Sequence, residues 1–326
     1  MTTATATAGA GNGTLAIDVV GLSKTFSTGR RRHRRTIEAV RDISFSVEPG
    51  ERVAYIGPNG AGKSTSIKVL TGILHATSGD VQVLGLVPWR DRRRLTRRIG
   101  TLFGQRSQLW FELTPLQSFR LLAAIHRIER TEAQARVGEL AELLDAADLF
   151  DQPVRSLSLG QRMRCELAAC MLHRPEILFL DEPTIGLDLL AKQLFRDLLV
   201  RLNRERGTTI FLTSHDVADV EHVAHRVVVV NHGSIIYDDA VATLRRTLLA
   251  TKLITVGLSS AVDVPELDGV TVLEHTPTAA RLAVDTARRS VRDVLDVLLD
   301  TWPVADISVV DPPLEDVIAE IYGAPR

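Results

Sequence analysis

The stretch GPNGAGKST, residues 57–65, decides the fold of this chain. It fits the spacing G-x-x-x-x-G-K-[ST] without a mismatch. The run before it, RVAYI, is rich in β-forming residues and predicts a buried strand. The run after it, SIKVLTGI, has the apolar spacing of a helix. A strand, a glycine turn and a helix start are the context that makes this motif a phosphate-binding loop.

The residue types in this phosphate loop suit the chemistry of phosphate. Glycines allow backbone N–H groups to turn toward phosphate oxygens, and the helix N-terminus adds a partial positive charge. We expect Lys63 to reach the β- and γ-phosphates and the Ser64 hydroxyl to ligate Mg²⁺. The predicted nucleotide-binding residues here are Gly57, Pro58, Asn59, Gly60, Ala61, Gly62, Lys63, Ser64 and Thr65.

A second motif, ILFLDE at residues 177–182, is an apolar strand that ends in two carboxylates. We expect Asp181 to hold Mg²⁺, directly or through water. Glu182 is the natural general base for a water that attacks the γ-phosphate. A strand end with two solvated acids is the simpler alternative, but the phosphate loop upstream favours the catalytic interpretation.

The bulk composition limits the class of protein. The length of 326 residues favours two domains. A composition of 45% hydrophobic and 24% charged residues is typical of a globular protein, and a net charge of −1 argues against a protein that coats nucleic acid. No apolar run approaches the roughly 18 residues that cross a bilayer. The first 14 residues lack the features of a signal peptide and are expected to form a disordered tail.

The pattern of elements predicts an α/β architecture. Antiparallel strands open the chain, and a parallel core begins at the phosphate loop. A mostly helical block follows at about residues 114–149, and we expect the second core strand only at Ile177. After about Ala250, short strands and one amphipathic helix predict a small α+β domain, which a split βαβ arrangement would fit. The chain ends in a strand, a Pro-Pro turn and a final helix.

The segment SLSLGQ, residues 156–161, lies upstream of ILFLDE, and this motif order resembles the ATP-binding subunits of ABC transporters. We call it the signature segment, because it resembles the family signature L-S-G-G-Q, with Leu159 where that form has a glycine. The resemblance implies that Ser158, Gly160 and Gln161 face the γ-phosphate of an ATP held by a second cassette.

Further residues match the family by position. Asp188, in the sequence Gly-Leu-Asp, resembles the D-loop that crosses the dimer interface. His215, after the strand TIFLTS, resembles the switch histidine at the γ-phosphate. Phe26 matches the aromatic residue that stacks on adenine. Gln105 matches the Q-loop glutamine, a further Mg²⁺ ligand, with Gln108 as the alternative.

The resemblance implies an ABC ATPase cassette with a parallel core sheet, an antiparallel β subdomain and an inserted helical subdomain at about residues 107–168. The expected division is a tail at 1–14, the cassette at 15–248 and a C-terminal α+β accessory domain at 249–326. The implied cofactors are ATP and Mg²⁺. The implied partners are a second copy in a homodimer and a separate membrane permease, with no nucleic acid. The expected location is the cytoplasmic face of the cell membrane, as a peripheral subunit.

Two other functions compete with a transporter subunit. The ending PPLEDVIAEIY resembles single-cassette subunits of ABC-2-type export permeases, which favours export. A soluble ABC-type ATPase that acts on ribosomes or nucleic acid is the main alternative, but that class usually carries two cassettes or long coiled coils. A different phosphate-loop class, such as a kinase, is disfavoured by the signature segment.

Two adjacent aromatic residues, Trp110 and Phe111, follow the predicted Q-loop. In a helix or a strand, neighbouring side chains cannot both face one core, so we expect at least one to be exposed. The resemblance implies that this segment lines the groove that receives a short helix of the permease. The alternative is that both rings pack into the helical block.

Three remaining features have modest interpretations. The basic run Arg30–Arg35 predicts a solvated hairpin tip, or else a contact with anionic lipid head groups. His222 and His225 lie three residues apart without a further candidate ligand, so we expect a solvated helix face rather than a metal site. Cys165 and Cys170 lack metal or redox spacing and are expected to be buried, reduced thiols.

Overall fold

The computed structural model describes residues 14–28, 35–104, 107–244, 251–260, 262 and 267–310. The predictions for the N-terminal tail, the hairpin tip, Gln105 and the final helix therefore fall wholly or almost wholly outside the described residues. The chain divides into two compact units, Met1–Asp238 and Asp239–Arg326. The domain limits expected from the sequence stay a prediction.

The first unit contains most of the helices and strands. In chain order they are β1 (Ile17–Thr28), β2 (Arg35–Val47), β3 (Arg52–Ile56), α1 (Lys63–Leu70), β4 (Ser78–Val83), α2 (Arg92–Leu95), β5 (Ile99–Phe103), α3 (Pro115–His126), α4 (Arg130–Leu143), α5 (Leu159–Met171), β6 (Ile177–Asp181), α6 (Leu189–Arg206), β7 (Thr209–Ser214), α7 (Val217–Val223), β8 (Arg226–Asn231) and β9 (Ser234–Ala240), at which the unit boundary falls.

The core of this unit is a six-stranded sheet in the order β5-β6-β7-β3-β8-β9. The strands from β5 to β8 pair in parallel. Ile56 lies opposite Ser214, and Asp181 lies opposite Thr213. The carboxyl ends of β3, β6 and β7 therefore meet at one edge of the sheet. Near-continuous buried runs such as VVVV in β8 are typical of strands covered on both faces.

The expectation that the second core strand appears only at Ile177 is wrong, because β5 precedes it. A strand of five residues that includes Gly100 gives little periodic signal. The glycine is required by packing, since a Cβ there would lie 2.6 Å from Leu178 Cδ2 and 2.9 Å from the Cys170 carbonyl oxygen.

Two layers cover the core sheet as the resemblance implied. The antiparallel sheet β2-β1-β4 places Val19 opposite Phe45 and Val81, and its buried residues share a hydrophobic cluster with Ile67 and Leu70 of α1. The helices α3, α4 and α5 form a separate cluster that includes the buried Cys165 and Cys170. Burial raises the pKa of both thiols to about 12, so they stay protonated and inert at neutral pH.

The second unit contains β10 (Thr251–Leu258), β11 (Val270–Thr276), β12 (Ala279–Asp285), α8 (Val291–Thr301) and β13 (Val304–Val310). Its strand order is β11-β12-β10-β13, and all three pairs are antiparallel. β12 and β13 are both antiparallel to β10, which lies between them, so they are parallel to each other and are joined by α8. This is the split βαβ arrangement that the sequence suggested. A tight turn, in which the Ala279 backbone amide donates to Thr276 Oγ1 at 3.0 Å, joins β11 and β12 as a hairpin beside this unit. No described helix is long and apolar enough to span a membrane.

Two stacked histidines join the helical block to the core sheet. His126, at the end of α3, lies on His173, after α5, with ring centroids 4.1 Å apart. His173 Nε2 lies 2.8 Å from the Ile99 carbonyl oxygen, which assigns the proton of the neutral ring to Nε2. Burial, with the neighbouring His126, lowers the pKa of His173 to about 4. Burial and Arg97 also lower the pKa of His126.

This pair predicts loss of stability in mild acid. In the unfolded chain, His173 binds a proton below its ordinary pKa of 6.5, whereas in the folded protein it stays neutral until the pH reaches about 4. The contribution of His173 to the free energy of unfolding is therefore fully present above pH 6.5 and is lost as the pH falls toward 4. We expect the free energy of unfolding to fall by about 2 kcal/mol between pH 7 and pH 5 through His173. His173→Gln keeps an amide donor for the Ile99 carbonyl and should flatten this dependence. Urea unfolding across that range measures it, and equal slopes for both proteins would refute the assignment.

Candidate nucleotide-binding site

The predicted loop and Glu182 line an open cleft at the carboxyl edge of β3, β6 and β7. Asp181 lines an adjoining cavity, together with Ser64 and Glu182. The cleft has a volume of about 570 Å³. It is lined by Ala39, by all nine residues of the phosphate loop, Gly57–Thr65, and by Glu182, Ile185 and His215. The topology therefore gathers residues that are more than 150 positions apart in the chain, which makes this edge the candidate site.

The phosphate loop is shaped by two crowded glycines. A Cβ on Gly57 would lie 2.2 Å from the Val230 carbonyl oxygen. Gly62 has a left-handed φ of 106°, and a Cβ there would lie 2.4 Å from the Ala39 carbonyl oxygen. Gly62 also begins α1 without a side-chain cap. The first turn of the helix is thus free of a capping side chain, as in anion-binding helix N-termini.

Lys63 is a buried cation folded over the loop. Its side chain is 7% exposed. The ammonium donates to the carbonyl oxygens of Gly57 at 2.6 Å and Pro58 at 3.3 Å, and lies 3.7 Å from Glu182 Oε1. A charge held by loop carbonyls and one carboxylate can exchange those contacts for phosphate oxygens.

A hydroxyl and a carboxylate from different elements meet beside the lysine. Ser64 Oγ donates to Asp181 Oδ1 at 3.1 Å, and Thr213 Oγ1 donates to the same oxygen at 2.8 Å. Hydroxyl and carboxylate oxygens are ligands that suit Mg²⁺, and one or two protein ligands are enough because this ion keeps waters and phosphate oxygens. The donor set of Ser64 and Asp181 therefore fits the metal that the resemblance implies.

Glu182 is held in a specific orientation at the mouth of the cleft. It has a left-handed φ of 54°, which is unfavourable for a residue with a side chain. The backbone amide of Glu182 donates to both the carbonyl oxygen and the hydroxyl of Thr213, each at 3.1 Å. Its Oε2 lies 2.6 Å from His215 Nδ1. A carboxylate fixed from two sides can accept a proton from a water near the loop.

The signature segment does not line this cleft but forms a well-capped helix start. Ser158 Oγ accepts the Gln161 amide at 3.2 Å, and Gln161 Oε1 accepts the Ser158 amide at 2.9 Å. This capping box begins α5 in spite of the leucine at position 159. A Cβ on Gly160 would lie only 2.9 Å from Ala191 Cβ.

The D-loop, Gly186–Asp188, lies beside the signature segment in the same subunit. Leu159 Cδ2 lies 3.1 Å from the position of a Cβ on Gly186. Asp188 caps α6 by accepting the Ala191 amide at 2.8 Å. Like the signature segment, Asp188 does not line the cleft around Lys63.

Phe26 and Gln108, two other residues predicted for the site, are not among the described residues that line the cleft. Phe26 lies on β1 opposite Ile37, with Lys24 Nζ 5.1 Å from its ring centroid. The side-chain amide nitrogen of Gln108, Nε2, donates to the Thr101 carbonyl oxygen at 2.5 Å and to Cys170 Sγ at 3.0 Å. These contacts turn Gln108 into the protein core, which disfavours it as the alternative to Gln105.

The predictions for the two surface histidines concern a different part of the unit. His222 Nε2 lies 2.6 Å from Asp197 Oδ1, whereas His225 lies beyond the end of α7 and contacts Arg52. They thus have separate partners. Within the described ranges, no group of three or more His, Cys, Asp or Glu side chains could hold a metal ion.

Two further residues, Thr213 and Glu166, shape the site and its surroundings but were not predicted from the sequence. Thr213 appears only when the parallel register places it opposite Asp181. Glu166 could have been noticed as an acid within the otherwise apolar run of α5, where it is 4% exposed. The Glu166 carboxylate accepts one hydrogen bond from Ser107 Oγ and another from the backbone amide of Gln108, the latter at 3.0 Å. Burial raises its pKa, and these bonds oppose that rise.

Glu166 thereby holds the segment Ser107–Phe111, which we call the aromatic segment. Leu109 within it is buried. Trp110 is 42% exposed and Phe111 is 56% exposed. The expectation that at least one ring is exposed is confirmed, and the alternative that both pack into the helical block is wrong.

Comparison with known proteins agrees with this geometry. The family model described as "ABC transporter" matches residues 40–185. The ABC transporter ATP-binding protein NatA of Bacillus subtilis is 31% identical over 65% of this chain and 85% of its own length. The daunorubicin resistance ATP-binding protein DrrA3 of Streptomyces coeruleorubidus is 33% identical over 89% of this chain and 92% of its own. Proteins named for import also match.

A solved structure has the same fold. It is a dimeric post-hydrolysis state of the ATP-binding cassette MJ0796 bound to ADP and Pi, with a TM-score of 0.61 and 25% identity. The match covers 69% of this chain and 98% of that one. The predicted α/β cassette fold is thereby confirmed.

The crowding at Gly62 gives a test of the loop geometry. Gly62→Ala should lower the affinity for ATP at least tenfold, because the new methyl group would collide with the Ala39 carbonyl and displace Lys63. Gly138→Ala is the matched control, since nothing lies within 4 Å of its Cβ position on α4. Titration with a fluorescent ATP analogue measures both. Equal affinities for the two variants would contradict the loop packing described above.

Proposed function

The chain belongs to the family of ABC transporter ATP-binding proteins and is an ATP hydrolase, and from that premise we propose that it powers export through a separate membrane permease. Two copies would close around two ATP molecules, and hydrolysis would separate them. The observation that carries the proposal is the convergence of Lys63, Ser64, Asp181, Glu182 and His215 at one sheet edge.

The contacts support a specific role for each residue in this proposal. Lys63 would bind the β- and γ-phosphates, which replace its loop carbonyl contacts. Ser64 and Asp181 would hold Mg²⁺, which when bound neutralises phosphate charge. Glu182 would take the proton of the attacking water. His215 would orient that carboxylate through Nδ1, 2.6 Å from Oε2.

Dimerisation is supported by exposed apolar side chains next to the site. Ile185, Leu189, Leu190 and Leu194 are 41%, 81%, 70% and 47% exposed. Ile185 lies three residues after Glu182, and the three leucines lie in the first two turns of α6. An exposed apolar patch beside polar catalytic groups is typical of a protein interface. The solved dimeric structure of the cassette MJ0796 supports the same assembly.

The permease is the second proposed partner, and the aromatic segment is its proposed contact. Trp110 and Phe111 project from a backbone that Glu166 holds against α5. Large exposed rings on a fixed backbone lose little conformational freedom on binding, which favours them as interface anchors. Attachment to a permease would keep the subunit at the cytoplasmic face of the membrane. Export is favoured by the ending PPLEDVIAEIY and by the resistance protein that matches 89% of the chain.

The dimer has a direct test in a variant that binds ATP without cleaving it. Glu182→Gln keeps the shape of the side chain and removes the base, so ATP should bind, turnover should stop, and a dimer should appear in light scattering. Adding Leu190→Asp should abolish this dimer, because it places a charge in the apolar patch. Leu121→Asp, on a 44% exposed leucine of α3, is the control and should leave the dimer intact. Normal turnover by Glu182→Gln would refute the assignment of the base.

The permease contact has a separate test. Trp110→Ala should leave the ATPase activity of the isolated subunit intact and weaken its co-purification with the proposed permease. An aromatic anchor of this kind contributes about 2 kcal/mol or more to binding. Ile125→Ala removes a 66% exposed side chain from α3 and should leave co-purification unchanged. Full transport-linked ATPase activity in a Trp110→Ala, Phe111→Ala double variant would exclude this segment as the contact.

A further inference from the structure

Thr213 is a buried hydroxyl between the two acidic residues of the site. It lies at the end of β7 and is 0% exposed. We propose that Thr213 is a positioning residue, which fixes Asp181 and Glu182 relative to each other so that the metal and the attacking water meet the same phosphate. The inference rests on the proposed function, in which Asp181 holds Mg²⁺ and Glu182 is the base.

Thr213 holds the carboxylate of Asp181. Thr213 Oγ1 has one proton, and it is donated to Asp181 Oδ1 at 2.8 Å. The same oxygen accepts from Ser64 Oγ at 3.1 Å. A carboxylate oxygen held by donors from β7 and α1 has little freedom to rotate. Partners of this kind orient metal ligands and change metal affinity without touching the metal.

Thr213 also holds the backbone of Glu182. The backbone amide of Glu182 has two acceptors, and both belong to Thr213: the carbonyl oxygen and Oγ1, each at 3.1 Å. This fork holds a residue with a φ of 54°. A strained backbone persists only where its surroundings fix it. Loss of the hydroxyl would loosen the conformation that directs the carboxylate to His215.

A purely structural role for Thr213 makes the opposite prediction. Valine has the shape of threonine and is also favoured in strands, so a position that only fills the core would tolerate it. Thr209 offers a matched control on the same strand. It is 2% exposed, and its Oγ1 accepts the Gly50 amide at 2.8 Å, at the opposite end of β7 from the cleft.

The experiment compares Thr213→Val, Thr213→Ser and Thr209→Val with the wild type and with Asp181→Asn. The affinity for a fluorescent, non-hydrolysable ATP analogue is measured in EDTA and in Mg²⁺, and turnover is measured separately. In the wild type, the affinity for the analogue should be higher in Mg²⁺ than in EDTA. In Thr213→Val, this increase in affinity and the turnover rate should each be about 10- to 100-fold smaller. Its affinity in EDTA should be that of the wild type. Thr213→Ser should recover both, and Thr209→Val should lose neither.

Each other outcome overturns a defined statement. We call the increase in affinity on adding Mg²⁺ the Mg²⁺ gain. The inference is overturned if Thr213→Val keeps the Mg²⁺ gain and the turnover of the wild type. It is also overturned if Thr209→Val loses as much as Thr213→Val, or if Thr213→Ser does not recover both properties. If Asp181→Asn removes the Mg²⁺ gain and Thr213→Val does not, only the role of Thr213 fails. If the wild type shows no Mg²⁺ gain, or Asp181→Asn keeps it, the proposed metal site fails and the inference with it.

Discussion

The parallel register of three strands is the constraint on which the rest of the first unit depends. Asp181 lies opposite Thr213, and Ile56 lies opposite Ser214. A slip of one residue would turn every side chain of a strand to the other face of the sheet. The loop after β3 would then have no carboxylate beside it. The chemistry of the cleft is therefore specified by backbone pairing before any side chain in the cleft contributes.

Buried polar contacts behind the site reinforce that register. Asp219 is 0% exposed and accepts from Thr184 Oγ1, Ser214 Oγ and Arg196 Nε, each at 2.6 Å. Thr184 follows Glu182, and Ser214 precedes His215. One buried carboxylate thus joins the segments that carry two of the cleft's polar side chains. A satisfied buried network of this type rigidifies its surroundings. Removal of the Asp219 carboxylate would take from the buried Arg196 the closer of its two ion pairs and leave the one to Asp216 at 3.2 Å.

The sequence was sufficient for the features that local chemistry dictates. The phosphate loop needs glycine, lysine and a hydroxyl at fixed spacing, so Gly57–Thr65 could be read without a structure. Long-range features were not accessible in the same way. β5 is too short to show a period, and its Gly100 is explained only by Leu178 and Cys170 on neighbouring elements. The proposed role of Thr213 depends on strand register, and the pairing of β11 with β12 in the second unit depends on which hairpin forms. Single-sequence patterns carry none of this information.

The packing of Leu159 against Gly186, and of Gly160 against Ala191, has a consequence for how two sites would communicate. These contacts seat the signature segment on the D-loop and the first turn of α6, so the two surfaces pack directly on each other within a subunit. In the proposed pair, a subunit could not withdraw its signature segment from one ATP without displacing the D-loop beside the other. The binding of ATP would then be cooperative, with a Hill coefficient above one. The origin of that cooperativity would be steric, because Leu159 packs against Gly186, where a side chain larger than glycine has no room.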